Sequence, residues 1–232
     1  LIKKEALMRF KELRMDWKTV VAIVASTLAL TAGHYRPNVL QPLIQAASRH
    51  SGPLWQLGAW ALDVLNREFW YLIVPLAIIL LVFRESPAKY GFRVGDWKAG
   101  LVLTLAGCVG VTVIMSTVAR TGAFRAYYTP QALPLTRLIY ENALDLFGWE
   151  FIFRGFLLFA LYRTLGPYAI VLQAVPFAID HFGKPELETL SCICGGSAFG
   201  YVAWRTRSFL YPFLIHWYLT TVTILFASGA LW

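Results

Sequence analysis

Long apolar stretches alternate with short polar connections along most of the chain. A helix needs about 20 apolar residues to cross a hydrocarbon core of roughly 30 Å. Lipid also requires each segment to satisfy its own backbone hydrogen bonds, which favours helices. The pattern therefore predicts an all-α, polytopic transmembrane bundle of about seven or eight spans. Seven spans have approximate bounds of 19–33, 69–83, 99–119, 138–162, 168–181, 187–204 and 209–228, and an eighth between residues 37 and 66 stays open.

The first 66 residues are less regular than the rest. Residues 1–18 alternate apolar and basic positions, which is typical of an amphipathic helix on an anionic membrane surface or of a solvated entry helix. The Trp-rich stretch 54–66 favours an interfacial or re-entrant helix. No linker divides the remaining chain, so residues 19–232 are predicted to form one transmembrane domain.

The composition agrees with a membrane protein. Hydrophobic residues make up 58% of the chain and charged residues 15%, whereas soluble proteins carry about 25% charged residues. The net charge of +8 comes from basic residues at the ends of apolar stretches, so a nucleic-acid partner is not expected. Most of these residues fall on one side of the predicted topology. The positive-inside rule then places the N-terminus in the cytoplasm, and we expect the cytoplasmic (inner) membrane of a prokaryote.

The span 138–162 contains a charged pair. A charge at the centre of a transmembrane helix costs roughly 2.5 to 3.5 kcal/mol on insertion scales, so such residues face the bundle interior and often mark function. Glu150 and Arg154 are four positions apart and share one helix face. Either they belong to a functional site or they form a structural ion pair.

Two of the four histidines lie within or at the end of apolar helices, whereas His34 and His50 are predicted in surface or loop positions. A neutral imidazole can accept a proton near physiological pH or bind a developing oxyanion. His181 and His216 are candidates for these roles, and a packed histidine bonded to a backbone carbonyl is the alternative. Thr220 follows His216 by one helical turn and could assist it.

Three runs in this order resemble the CPBP family of intramembrane endopeptidases, also called the CAAX protease and bacteriocin-processing, or Abi, family. They are Gly148-Trp149-Glu150-Phe151-Ile152-Phe153-Arg154, Phe177-Ala178-Ile179-Asp180-His181, and His216-Trp217-Tyr218-Leu219-Thr220. The family motifs are Glu-Glu-x-x-x-Arg, Phe-x-x-x-His and His-x-x-x-Asn or Asp. The resemblance covers residues 138–228.

The resemblance implies a glutamate-dependent peptidase that acts on a membrane-anchored peptide or protein. In that family a glutamate and the first histidine activate water. By this correspondence His181 is the water-binding base partner, Glu150 aligns with the second glutamate of the first motif, His216 and Thr220 stabilise the oxyanion, and Arg154 is the orienting cation. Two further residues, Trp149 and Phe177, are expected to contact the substrate.

The chain departs from the family pattern at the first glutamate, which is replaced by Trp149. A tryptophan cannot take a proton from water. Glu150 itself, Asp145, Asp180, Glu186 or Glu188 could supply the carboxylate, or the chemistry could be lost. A helical rise of about 1.5 Å per residue also predicts depths of roughly 20 Å for Glu150 and His181 but about 12 Å for His216.

Two other functions remain open from the sequence. The first is a non-catalytic scaffold, assembly factor or subunit of a membrane complex, which Trp149 favours. The second is a small proton-coupled transporter, although no inverted repeat supports it. No cofactor and no metal are expected, because the two histidines and the glutamate lack the spacing of a helical HExxH motif.

Overall fold

The computed structural model describes residues 16–35, 60–61 and 64–231, and every regular element among them is helical. The predicted all-α fold is confirmed. The amphipathic segment and most of the Trp-rich stretch predicted before residue 66, with His50, lie outside the described residues. The helices are α1 Trp17–Tyr35, α2 Val64–Val82, α3 Trp97–Val118, α4 Gly122–Tyr128, α5 Leu135–Glu150, α6 Leu158–Leu165, α7 Ala169–Leu172, α8 Ala174–Ile179, α9 Glu186–Thr206 and α10 Leu210–Ser228.

Four helical stretches are long and apolar enough to cross a membrane: Val64–Val82, Trp97–Val118, Leu135–Ile179 and Leu210–Ser228. The third has 45 residues. At about 1.5 Å per residue that is roughly 67 Å, twice the thickness of a hydrocarbon core. The stretch is interrupted at Gly166, whose φ of +52° suits glycine. The interruption divides the stretch into two helical parts, which correspond to the predicted segments 138–162 and 168–181. The long apolar helices make the chain an integral membrane protein.

The connecting segments that carry most of the Lys and Arg side chains lie at one end of the bundle, where ion pairs join them. Because the start of α1 contacts the residues that follow α2, these two points share an end, whatever the chain does between them. The start of α3 and the ends of α6 and α9 lie at the same end. The pairs are Lys18–Glu85 at 2.7 Å, Arg163–Asp16 at 2.7 Å and Arg205–Asp96 at 2.8 Å.

The chain segment that joins α5 to α6 runs through the centre of the bundle. Every residue from 151 to 161 is buried, and Phe151, Ile152, Phe153 and Phe156 are fully inaccessible. Two apolar clusters meet along this segment, one toward α1, α8 and α9 and the other toward α2 and α10. Side chains that project from it toward α8 or α10 therefore lie in the protein interior.

Helix α9 packs closely on α7 and α8 through small residues. A Cβ at Gly196 would lie 2.9 Å from Cβ of Ala174, and one at Gly200 would lie 2.9 Å from the carbonyl oxygen of Ile170. Gln173 adds a hydrogen bond from its amide nitrogen to the Gly196 carbonyl at 2.7 Å. This contact fixes α9 beside the helix that leads to His181.

Candidate active site

The helix that carries the charged pair changes its geometry at the pair itself. Glu150 is the last residue of α5, and Phe151–Leu157 forms a π-helical turn that contains Arg154. Such turns are rare and frequently occur at functional sites. Both Glu150 and Arg154 are completely inaccessible to solvent.

Glu150 lies between a histidine and an arginine. Its Oε1 is 2.6 Å from Nδ1 of His216 on α10, and its Oε2 is 3.4 Å from Nε of Arg154. Nδ1 of His216 acts as the donor to the carboxylate, which leaves Nε2 of the ring for a second partner. The structure thus brings three of the residues singled out in the sequence into direct contact.

The Arg154 guanidinium is enclosed by aromatic rings. Its carbon lies 3.9 Å from the ring centroid of Phe177, with Phe153 at 5.5 Å and Phe199 at 5.4 Å. A cation over an aromatic face is stabilised by the quadrupole of the ring, more so when it is desolvated. Phe177 therefore contacts Arg154 as well as the cavity described below.

His181 is held by its own turn. Nδ1 donates a hydrogen bond to the carbonyl oxygen of Phe177 at 2.7 Å, because a carbonyl can only accept. In the neutral ring Nε2 is then the acceptor. The hydroxyl of Thr189 on α9 donates to the carbonyl of His181 at 2.9 Å, which ties the turn to the start of α9.

A cavity of about 290 Å³ lies beside the cluster and joins the two histidines. His181, His216 and Thr220 all line it, whereas Glu150 and Arg154 lie behind its wall. Ile114, Met115 and Val118 of α3 and Phe124 of α4 make part of its wall apolar. The polar or reactive lining residues besides the two histidines are Tyr128, Lys184, Glu188, Ser191, Cys192, Thr220 and Thr223.

Trp149 lies against His181 rather than in the cavity. The two rings are 6.0 Å apart between centroids, and the indole also packs on Tyr71 at 5.8 Å, Phe153 at 5.6 Å and Phe177 at 6.4 Å. The residue that replaces the family glutamate thus occupies a largely aromatic site next to the first motif histidine.

The carboxylates that could compensate for Trp149 lie in different surroundings. Asp145 forms an ion pair with Arg67. Asp180 faces a second cavity that is also lined by His34. Glu186 is exposed. Glu188 lines the cavity that contains His181 and His216.

Glu68 on α2 also contacts the helix of the charged pair, although it was not predicted from the sequence. One of its carboxylate oxygens accepts a hydrogen bond from the backbone nitrogen of Gly148 at 2.9 Å, one turn before the π-helical segment. A Cβ at position 148 would lie 2.7 Å from the same oxygen, so glycine permits this approach. A glutamate at the edge of an apolar span was the available signal, by the same rule that drew attention to Glu150.

Among residues 16–35, 60–61 and 64–231, no three His, Cys, Asp or Glu side chains are grouped closely enough to hold a metal ion.

The fold and the site define a helical integral membrane protein with a buried Glu–His–Arg cluster beside a cavity that contains two histidines. The model of the type II CAAX prenyl endopeptidase Rce1-like family matches residues 131–222. The resemblance predicted from the three motifs is thereby confirmed over that part of the chain. Neither the curated proteins nor the solved structures include a match to this chain.

Proposed function

We propose that the protein is an intramembrane endopeptidase that hydrolyses a peptide bond of a membrane-anchored substrate. The observation that carries this proposal is that His181 and His216, from separate motifs, line one cavity with Thr220. A structural ion pair would account for Glu150 and Arg154, but not for two histidines and a hydroxyl that converge on the same space. The family match supports the same reaction class.

The hydrogen bonds of the two histidines suggest distinct roles. Nε2 of neutral His181 accepts a hydrogen bond from the attacking water, since Nδ1 is committed to the Phe177 carbonyl. His216 and the Thr220 hydroxyl bind the oxyanion, while Glu150 orients the His216 ring through Nδ1. Glu150 then acts through His216 as a positioning residue, and Arg154 holds Glu150. Phe177 provides an apolar wall for the substrate, and Trp149 backs His181.

The positive-inside rule supports a topology with the basic end in the cytoplasm, and with it an N-terminus on that side of a prokaryotic inner membrane. The cavity is lined by Tyr128 on α4 and by Lys184 and Glu188 at the start of α9, which lie at the opposite end of the bundle from Lys18 and Arg163. This topology places the cavity in the non-cytoplasmic half of the membrane.

The test uses the purified protein in proteoliposomes with a library of lipid-anchored peptides, including prenylated C-terminal peptides, and detection of products by mass spectrometry. We expect His181→Ala and Glu150→Gln each to reduce cleavage by about 100-fold or more, because His181 would contact the attacking water and Glu150 positions His216. His34→Ala is the matched control, because His34 lines the other cavity. Equal cleavage by all four proteins, or none by the wild type, would overturn the proposal.

A non-catalytic scaffold in a membrane complex is the second candidate, and Trp149 beside His181 is the observation that favours it. A scaffold needs no reactive cavity. Its function would survive His181→Ala in a deletion strain, and it would co-purify with a stable partner. Full complementation by both His181→Ala and Glu150→Gln would select this function over the peptidase.

A further inference from the structure

Within the part of the chain that the structure describes, one carboxylate lines the cavity with the two histidines, and it belongs to Glu188. We propose that Glu188 is the acid–base carboxylate of this site and takes the place of the family glutamate that Trp149 replaces. This inference rests on the peptidase function proposed above. It assigns the base to α9, a different helix from the one that carries Glu150.

Contacts on both sides hold Glu188 in the cavity wall. The Tyr128 hydroxyl donates to its carboxylate oxygens at 2.7 Å, and Nζ of Lys184 lies 3.1 Å from Oε1. These contacts fix the position of the carboxylate in the cavity wall. Glu188 is also in the first turn of α9, where the helix dipole stabilises a negative charge.

Glu188 and His181 are positioned by one structural unit. The Thr189 hydroxyl bonds to the His181 carbonyl at 2.9 Å, so the residue directly after Glu188 anchors α9 to the turn of His181. Both side chains line the same cavity, where the attacking water would lie. In the family motif the first glutamate and the first histidine form the water-activating pair. Here Glu188 would replace that glutamate as the partner of His181.

The other acidic residues near the cluster do not reach the cavity. Glu150 is fully buried and its two oxygens face His216 and Arg154. Asp145 is paired with Arg67, and Asp180 faces the second cavity. Glu188 is therefore the acidic residue placed to exchange protons with a water molecule next to His181.

The proposed step conserves protons. The water oxygen forms a bond to the carbonyl carbon of the scissile peptide while one of its protons passes to the Glu188 carboxylate. The carbonyl oxygen becomes the oxyanion bound by His216 and Thr220. When the tetrahedral intermediate collapses, the carbon–nitrogen bond breaks and the protonated Glu188 returns its proton to the leaving amine.

The experiment compares Glu188→Gln with Glu186→Gln in the proteoliposome assay. Glu186 shares the first turn of α9 but is exposed and lies outside the cavity wall. We expect Glu188→Gln to lower kcat by about 100-fold or more with KM within about threefold, and Glu186→Gln to leave both unchanged. In addition, formate should raise the activity of Glu188→Ala by about tenfold, since it supplies the missing carboxylate, whereas chloride should not.

The possible results separate this inference from the proposed function. Wild-type kcat in Glu188→Gln, together with a large loss in His181→Ala, would overturn the role of Glu188 and leave the peptidase intact. An equal loss in Glu188→Gln and Glu186→Gln, or no rescue of Glu188→Ala by formate, would show a structural effect and also overturn it. Unchanged cleavage in His181→Ala would overturn the peptidase itself.

Discussion

Nδ1 of His216 donates a hydrogen bond to Oε1 of Glu150 at 2.6 Å, although the two residues are 66 positions apart. The bond joins the first and third motifs of the sequence. Glu150 thus contacts His216 of α10 through one oxygen and Arg154 through the other. Removing one member of a buried charged pair leaves the other uncompensated, at a cost of about 3 to 5 kcal/mol. The histidine, the glutamate and the arginine are therefore expected to behave as one unit.

A double-mutant cycle measures that unit directly. Glu150→Gln and His216→Ala should each lower kcat by about 100-fold or more, while the double variant should be little worse than either single variant, because groups that act together are not additive. Cleavage in proteoliposomes is the measurement. Losses that multiply in the double variant would show that Glu150 and His216 act independently.

Arg154 is predicted to matter for stability as much as for chemistry. Arg154→Met removes the partner of Glu150 and the cation held over Phe177, and should reduce the free energy of unfolding by about 3 to 5 kcal/mol. Arg154→Lys should recover only part of this loss, because lysine lacks the planar guanidinium that stacks on the ring. Unfolding in mixed micelles, followed by tryptophan fluorescence, gives both values.

Arg205→Met provides the control for Arg154. Arg205 pairs with Asp96 at 2.8 Å, but both side chains are more than two-fifths exposed. Exposed pairs contribute about 0 to 1 kcal/mol. A similar loss of stability in Arg205→Met and Arg154→Met would contradict the importance assigned to the buried cluster.

The local part of the site could be predicted from the sequence. Glu150 and Arg154 are four apart on one helix, and this spacing alone brings their side chains together. The helical class and the candidate membrane spans in the second half follow from apolar stretches of sufficient length. These features depend on residues that are close in the chain.

The long-range part could not be predicted in the same way. Helix rise alone gave a depth difference of about 8 Å between Glu150 and His216, from predicted depths of roughly 20 Å and about 12 Å, yet the two side chains are in contact. Depth counting assumes straight, untilted helices with known ends, and α5 continues as a π-helical turn directly after Glu150. Which of the five candidate carboxylates faces the cavity also depends on packing, and only the structure distinguishes Glu188 from Glu186.

The ion pairs at the basic end predict a pH-dependent stability. Burial tends to raise the pKa of Glu85, but hydrogen bonds from Lys18 and Tyr90 and the charge of Arg163 outweigh it, so the pKa is lowered from 4.5 to about 2. A lowered pKa means that the folded state favours the ionised form. Glu85 therefore stabilises the protein above about pH 4.5, and this contribution is lost as the pH falls toward about 2.

Glu85→Gln should remove this dependence. Above pH 5 we expect its Tm to be lower than that of the wild type by a constant amount, and the difference should shrink progressively below about pH 4.5. Thermal unfolding in detergent across this pH range is the measurement, with Glu186→Gln as an exposed control. A Tm difference that stays constant down to pH 3 would refute the assignment.

The last prediction concerns the residue that departs from the family pattern. Trp149→Glu places a carboxylate beside His181. Trp149→Gln is its control, because a glutamine has nearly the shape of a glutamate but no charge. Both variants lose the indole contacts with Tyr71 and Phe153, so both should be less stable than the wild type.

If a carboxylate next to His181 activates water, kcat of Trp149→Glu should exceed that of Trp149→Gln by about tenfold or more. Glu188→Gln should then cost less in the Trp149→Glu background than in the wild type, because the site holds a second base. Equal kcat in Trp149→Glu and Trp149→Gln would show that a carboxylate at position 149 does not activate the attacking water.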